Sequence, residues 1–301
     1  LTKQKGFPKT SLLCGALGWG IAWYPYRLLE QAGIPGELTI ALSYTIALLI
    51  ALILFRNKVT LSAIFHPAAW ILLGIHLGAG WTSTAYILGI IHGEVVRVLL
   101  LFYLAPLWTI LFSRLLLQER LSQQGYLIIL LSLTGASLLL WQPGGGLPLP
   151  TSYGDWMGLS SGITFALTTV LIRKGQQHSI YLKLLAMLSG AASIGFIATL
   201  ITQPPFDLAS LPSASWLLLL ATGGLVLLLG LLVQYGMTHV PANQAIVIML
   251  LELVAAAIAA HFLTDEFLTH RDWIGGCIIV SASLFSANVN RNQPNKHSDI
   301  D

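Results

Sequence analysis

The chain has 301 residues, of which 55% are hydrophobic and only 9% charged. Soluble globular proteins carry about 25% charged residues. Together with a mean hydropathy of +0.78, this excludes an ordinary water-soluble domain and points to an integral membrane protein of many spans. The net charge of +3 comes without any basic block, so nothing suggests a nucleic-acid partner.

In chain order, apolar stretches fall at roughly residues 10–28, 37–55, 69–91, 95–117, 123–141, 156–173, 181–202, 214–238, 241–263 and 273–290. Most approach the ~20 residues a helix needs to cross the hydrocarbon. Barrel strands would instead alternate over short segments. The first stretch lacks a small-residue cleavage site and reads as a retained span, not a signal peptide. Cys14 and Cys277 lie inside apolar stretches and read as small buried residues rather than a disulfide or metal ligands. The longest connection, residues 142–155, is rich in Gly and Pro and separates two halves.

The basic residues set the orientation. With the N-terminus in the cytoplasm and ten spans threaded, 12 of the 15 Lys and Arg residues reach the cytoplasmic side. Only Arg27, Arg97 and Arg271 fall toward the other side. This is the positive-inside asymmetry, and it places both termini inside. Fixed-spacing matches then reveal a repeat. At a shift of 146 residues, Trp19-Gly20 meets Phe165-Ala166, Arg27 meets Arg173, Ser43 meets Ser189 and Trp70 meets Trp216. At 147, Glu119 meets Glu266 and Ser122 meets Thr269. Around Tyr86 and Tyr235 the shift is 149. Five spans per copy is an odd number, so the copies lie upside down relative to each other, an arrangement found in many secondary transporters. The expected fold is an all-α integral membrane protein of ten transmembrane helices, built as two inverted-topology five-helix repeats. Residues 1–141 hold the first repeat, 142–154 the linker, 155–290 the second repeat and 291–301 a cytoplasmic tail.

Several motifs carry a family resemblance. They are Trp19-Gly20, Leu104-Ala105-Pro106 leading to Gln118-Glu119-Arg120-Leu121-Ser122, and Leu250-Leu251-Glu252 leading to Asp265-Glu266-Phe267-Leu268-Thr269. With these the chain resembles the drug/metabolite transporter superfamily, of the EamA type with ten spans. It departs from the pattern at Gln118 and Asp265, where Gly is usual, and at Leu253, where the second copy usually has Pro. The last departure leaves open whether span 9 kinks. The resemblance implies a carrier of the bacterial inner membrane, often an exporter of amino acids or related metabolites.

Ionisable groups inside spans are rare and costly, so they are the first candidates for a site. Glu252 is the deepest acid, near the centre of span 9. It either faces a cavity and binds a substrate ammonium or a proton, or holds a neighbouring helix by a hydrogen bond. Glu94 and Arg97, three residues apart, share one helix face near the end of span 4. They form either a substrate grip and gate or an interfacial ion pair with Arg97 snorkelling. Tyr103 lies close to Pro106, whose missing amide hydrogen frees a carbonyl one turn earlier. Trp19 and Trp23 offer rings to a solute, with Arg27 four residues after Trp23; the alternative for this end of span 1 is an aromatic belt. Tyr86 and His76 in span 3, Tyr235 in span 8, and Asn243 and Gln244 at the start of span 9 complete the candidates. For His76 a structural hydrogen bond competes with a proton relay. Glu119 and Glu266 read as structural, binding helix N-terminal amides or a nearby Arg.

No phosphate-binding loop, metal-spaced cluster or nucleophile motif occurs in the sequence. No catalytic residue, metal or cofactor is therefore expected. The expected partners are a small-molecule substrate and the lipid bilayer, with the chain a monomer or homodimer. The expected function is secondary transport by alternating access, as an exporter with possible proton coupling. An uptake carrier or uncoupled facilitator is the alternative, and a membrane enzyme or non-transporting membrane protein stands behind both.

Overall fold

A computed structural model describes residues 7–59, 67–93, 95–119, 121–139, 150–202, 207, 211–263 and 270–289. Every regular element among them is helical: α1 (Phe7–Gln31), α2 (Gly36–Phe55), α3 (Ala69–His92), α4 (Val95–Phe102), α5 (Ala105–Phe112), α6 (Gln123–Leu139), α7 (Tyr153–Lys174), α8 (Ile180–Thr202), α9 (Ser213–His239), α10 (Ala242–Met249), α11 (Leu251–Leu263) and α12 (His270–Val289). A π-helical turn, Ser113–Leu117, extends α5.

Seven stretches among the described residues are long and apolar enough to cross a membrane: Gly36–Phe55, Ala69–Ile90, Val98–Leu117, Tyr153–Lys174, Ile180–Thr202, Ser213–His239 and Ala242–Leu263. The remaining three helices fall short in different ways. α1 has 25 residues but is diluted by polar ones. α6 has 17 described residues, and the apolar part of α12 runs only over Trp273–Phe285. The outer surface is that of a lipid-solvated protein. Ile53, Leu115, Leu200, Leu217 and Phe262 are all largely exposed, which water would not tolerate over so wide an area. Cys14 and Cys277, expected to be buried, are exposed instead. With lipid as solvent, a small apolar side chain gains nothing by turning inward.

Local sequence explains the helix ends. α7 opens on a capping box in which Asp155 N donates to Ser152 Oγ (3.1 Å) and Ser152 N to Asp155 Oδ2 (3.2 Å). The turn after α1 passes through Gly33 at φ +89°. Span 4 breaks at Tyr103–Leu104, between α4 and α5, with Pro106 in the first turn of α5. Span 9 breaks as well, at Leu250 between α10 and α11, although Leu253 stands where the family pattern usually has a proline. The Leu250 amide is shared between the carbonyls of Ile246 and Val247, at 3.3 Å each.

Packing joins the two halves throughout. α1 lies along α9 and α11, α2 along α8 and α9, α3 along α7 and α8, α4 and α5 along α7, and α6 along α12. Small residues set two of the closest approaches. At Gly190 on α8, a Cβ would collide with the main chain at His76 on α3. At Gly20 on α1, it would lie 2.5 Å from the Glu252 carbonyl oxygen and 2.9 Å from the Ala256 nitrogen. The alanine-rich face of span 9 therefore meets α1, while Gly275 on α12 faces Gly135 on α6.

Candidate functional site

The two helix breaks face each other across the core. A small cavity lies between them, lined by Tyr103, Ala105, Pro106, Phe165, Ile246, Met249, Leu250 and Glu252. It has room for about one water. Its walls are apolar and aromatic, and Glu252 supplies the one carboxyl in the lining. Glu252 sits in the first turn of α11 and has no hydrogen-bond or ion-pair partner among the described residues. The backbone of α1 closes over it at Gly20.

Aromatic rings surround this acid. Tyr86 and Phe102 meet edge-on at 5.2 Å, Phe102 and Tyr103 at 4.9 Å, and Phe102 tilts against Phe165 at 5.5 Å. Tyr44, Tyr86 and Tyr103 all lie near Glu252. Trp19 packs against the core clusters that hold Tyr103 and Tyr44. The structure thus brings together four predicted residues, Glu252, Tyr103, Tyr86 and Trp19, and adds Tyr44. Sequence reasoning misses Tyr44, although it is the one phenol within a mostly aliphatic span 2. The carbonyl that Pro106 deprives of its helical donor, Phe102 O, does not open toward a solute. It abuts α7 at Gly162, where a Cβ would lie 2.5 Å from it.

The other predicted residues lie elsewhere. Trp23 carries the Arg27 guanidinium over its ring at 6.0 Å, with Arg27 exposed, so these two partner each other. Tyr235 lies tilted against the exposed His239 (4.5 Å), meets Phe7 edge-on (5.4 Å) and does not line the cavity. His76 bridges α3 to α8 through Ser189 (Nδ1 to Oγ, 2.9 Å) and Ser193 (Nε2 to Oγ, 3.4 Å). Asn243 Nδ2 donates to Ser113 Oγ (2.8 Å), and Gln244, the next residue, is buried. Glu94 and the Arg97 side chain lie outside the described residues, as does Glu266.

A second polar group ties one end of the bundle. Arg173 Nη1 and Gln176 Nε2 donate to Thr238 O, at 2.8 and 2.6 Å. Lys183, fully buried, donates from Nζ to Thr238 Oγ1 (2.7 Å) and Ile172 O (3.0 Å). Lys174 Nζ reaches Leu116 O (3.0 Å). These cations meet the negative ends of α9, α7 and the π turn. Glu119 pairs with Arg173 at 3.7 Å and accepts the Ala242 amide at the start of α10, the two roles open to it from sequence. Burial holds its carboxyl above the ordinary range, although Arg173 and the amide both pull it down.

An all-helical membrane protein whose acid, between two broken helices, meets no partner among the described residues is built as a solute carrier rather than an enzyme. The chain belongs to the EamA-like transporter family, whose model matches residues 10–141 and 152–287. An Archaeoglobus fulgidus protein named an uncharacterized transporter is 28% identical over 216 residues, 71% of this chain and 75% of that one. An S-adenosylmethionine uptake transporter of Rickettsia bellii is 27% identical over 243 residues, 79% of this chain and 78% of that one. The fold recurs in a crystal structure 18% identical to this chain, with a TM-score of 0.76 over 94% of this chain and 98% of the other. The protein is a multi-pass membrane transporter.

Proposed function

We propose that the chain is a secondary carrier that exposes the Glu252 cavity alternately to the two sides of a bacterial inner membrane. Its ten spans form two inverted repeats, residues 1–141 and 155–290, joined by 142–154 and followed by a cytoplasmic tail at 291–301. Exchange of helix pairings between the halves supports this. α1 packs on α9 as α7 packs on α3, α1 on α11 as α7 on α4 and α5, and α2 on α9 as α8 on α3. The pairs α2–α8 and α6–α12 map onto themselves. Such exchange is what a two-fold relation between repeats produces.

The observation that carries the substrate reading is the lone carboxyl. Glu252 lines an aromatic, otherwise uncharged cavity and has no protein partner among the described residues. With no cation beside it among the described residues, a carboxylate there is suited to a cation or a proton brought from outside. The solutes we assign are small organic metabolites with a positive group: amino acids or related compounds with an ammonium, or a sulfonium such as S-adenosylmethionine. Aromatic faces suit the same charge. Binding of a proton to the emptied carboxyl couples export to the proton gradient. The named activity of the Rickettsia bellii relative favours uptake as a second reading.

A thermal-shift screen tests the site. Compounds with an ammonium or sulfonium are expected to raise the melting temperature of the purified protein and to lose that effect in Glu252→Gln. A shift of equal size in the variant, or shifts confined to anions, removes Glu252 from the site.

A further inference from the structure

Buried polar atoms without partners cost roughly 1–3 kcal/mol each and are few in folded proteins, so each calls for a reason. Gln234 on α9 is the extreme case. It is 1% exposed, and neither Nε2 nor Oε1 has a hydrogen-bond partner among the described residues. A carboxamide offers two donors and two acceptor sites, all unmet here. Leucine would fill nearly the same volume at no such cost, so packing alone does not explain a glutamine.

Its place in the fold suggests what does. Thr238 lies one turn further along α9, on the same face, and is the hub of the Arg173–Lys183–Gln176 group. Gly230, one turn the other way, faces Leu184 and Met187 of α8. Met187 packs on the cluster that contains Tyr103 and Met249 of the cavity region. Gln234 is therefore one turn, about 5.4 Å, inward of the polar group closing that end of the bundle. Asn243 Oδ1 on α10 and Trp108 Nε1 on α5 are also buried without partners among the described residues.

Resting on the reading of Glu252 as the central site, we infer that the Gln234 carboxamide is a solute-binding group on the route between the cavity and the Glu119–Arg173 end. The group it recognises presents a donor beside an acceptor, as in a carboxamide or the edge of an amino-substituted heterocycle. The solute is then an organic cation that carries such an edge as well as its charge. The carboxamide is unpaired among the described residues, and the solute satisfies it in passing.

Two measurements test this whichever solute the protein carries. Gln234→Leu removes the unmet polar atoms, so its melting temperature is expected to equal or exceed that of the wild type. A clear fall instead shows that Gln234 serves the fold, and overturns the inference. In a background with Cys14 and Cys277 replaced, Gln234→Cys in membrane vesicles is expected to react with a charged methanethiosulfonate reagent. Val233→Cys, facing Gly15 of α1, should stay unreactive. Labelling of Glu252→Cys without Gln234→Cys refutes this inference and leaves the central site standing. Labelling of neither refutes both.

Discussion

Gln118 shows how one residue records a backbone requirement. It caps the π turn with φ 57° and ψ 20°, the only non-glycine residue with positive φ among those described. An L side chain there costs about 1–2 kcal/mol, which accounts for the glycine usual at this position in the family pattern. Gln118→Gly is expected to stabilise the protein by about 1 kcal/mol, read as a rise in melting temperature. Its neighbour Glu119 has a carboxyl whose pKa is raised on folding by burial. Its contribution is thus fully present below the unfolded carboxyl value of about 4.3 and is lost as pH rises through the folded value. The stability difference between wild type and Glu119→Gln, measured by melting across that range, should shift against the wild type as pH rises. A difference that moves the other way would place Glu119 in a net favourable ion pair. Gln234 and Tyr235 mark where reading one residue at a time fails. α9 is apolar on all sides, so no periodicity shows which of two adjacent residues turns inward. The aromatic residue gives the stronger signal in the sequence, yet the amide is the one that is buried.

Helices 4–5 and 10–11 teach the same lesson at the next scale. The break in span 4 was legible, because Pro106 removes an amide and fixes φ. The break in span 9 was not, since nothing in its local sequence demands one. Yet Leu250 stands 147 residues after Tyr103, the offset that relates Glu119 to Glu266. The break thus recurs at the matching place without its proline. Since Leu253 occupies the first turn of α11, a proline there would lose only its 3.1 Å bond to Leu250 O. Leu253→Pro is expected to cost well under the ~3 kcal/mol of a proline in a helix interior, whereas Ala256→Pro should cost that amount. Equal losses of melting temperature in the two variants would show that α10 and α11 behave as one continuous helix. The glycine at position 20 was legible as a motif, but its purpose is tertiary: it lets α1 lie on the main chain at Glu252.

At the scale of the whole molecule, composition and run length announced a helical membrane protein, and the paired motifs announced its family. What composition could not convey was depth. Arg27 and Arg173 stand at matching places in the sequence, yet Arg27 is exposed against Trp23 while Arg173 is held by Glu119 and Thr238. Among the described residues the two ends of the bundle are therefore unequal: one is tied by charged groups across α7, α8, α9 and the segment after α5, and the proposed alternating access requires that tie to part. On that proposal, the Glu252 cavity between the breaks is the point common to both open states. The most direct test is flux into proteoliposomes of a compound that stabilises the wild type, with and without an imposed proton gradient. The wild type is expected to accumulate the compound when the gradient is present, and Glu252→Gln is expected to show no gradient-driven accumulation. Equal gradient-driven accumulation by both proteins would contradict the central place given to Glu252.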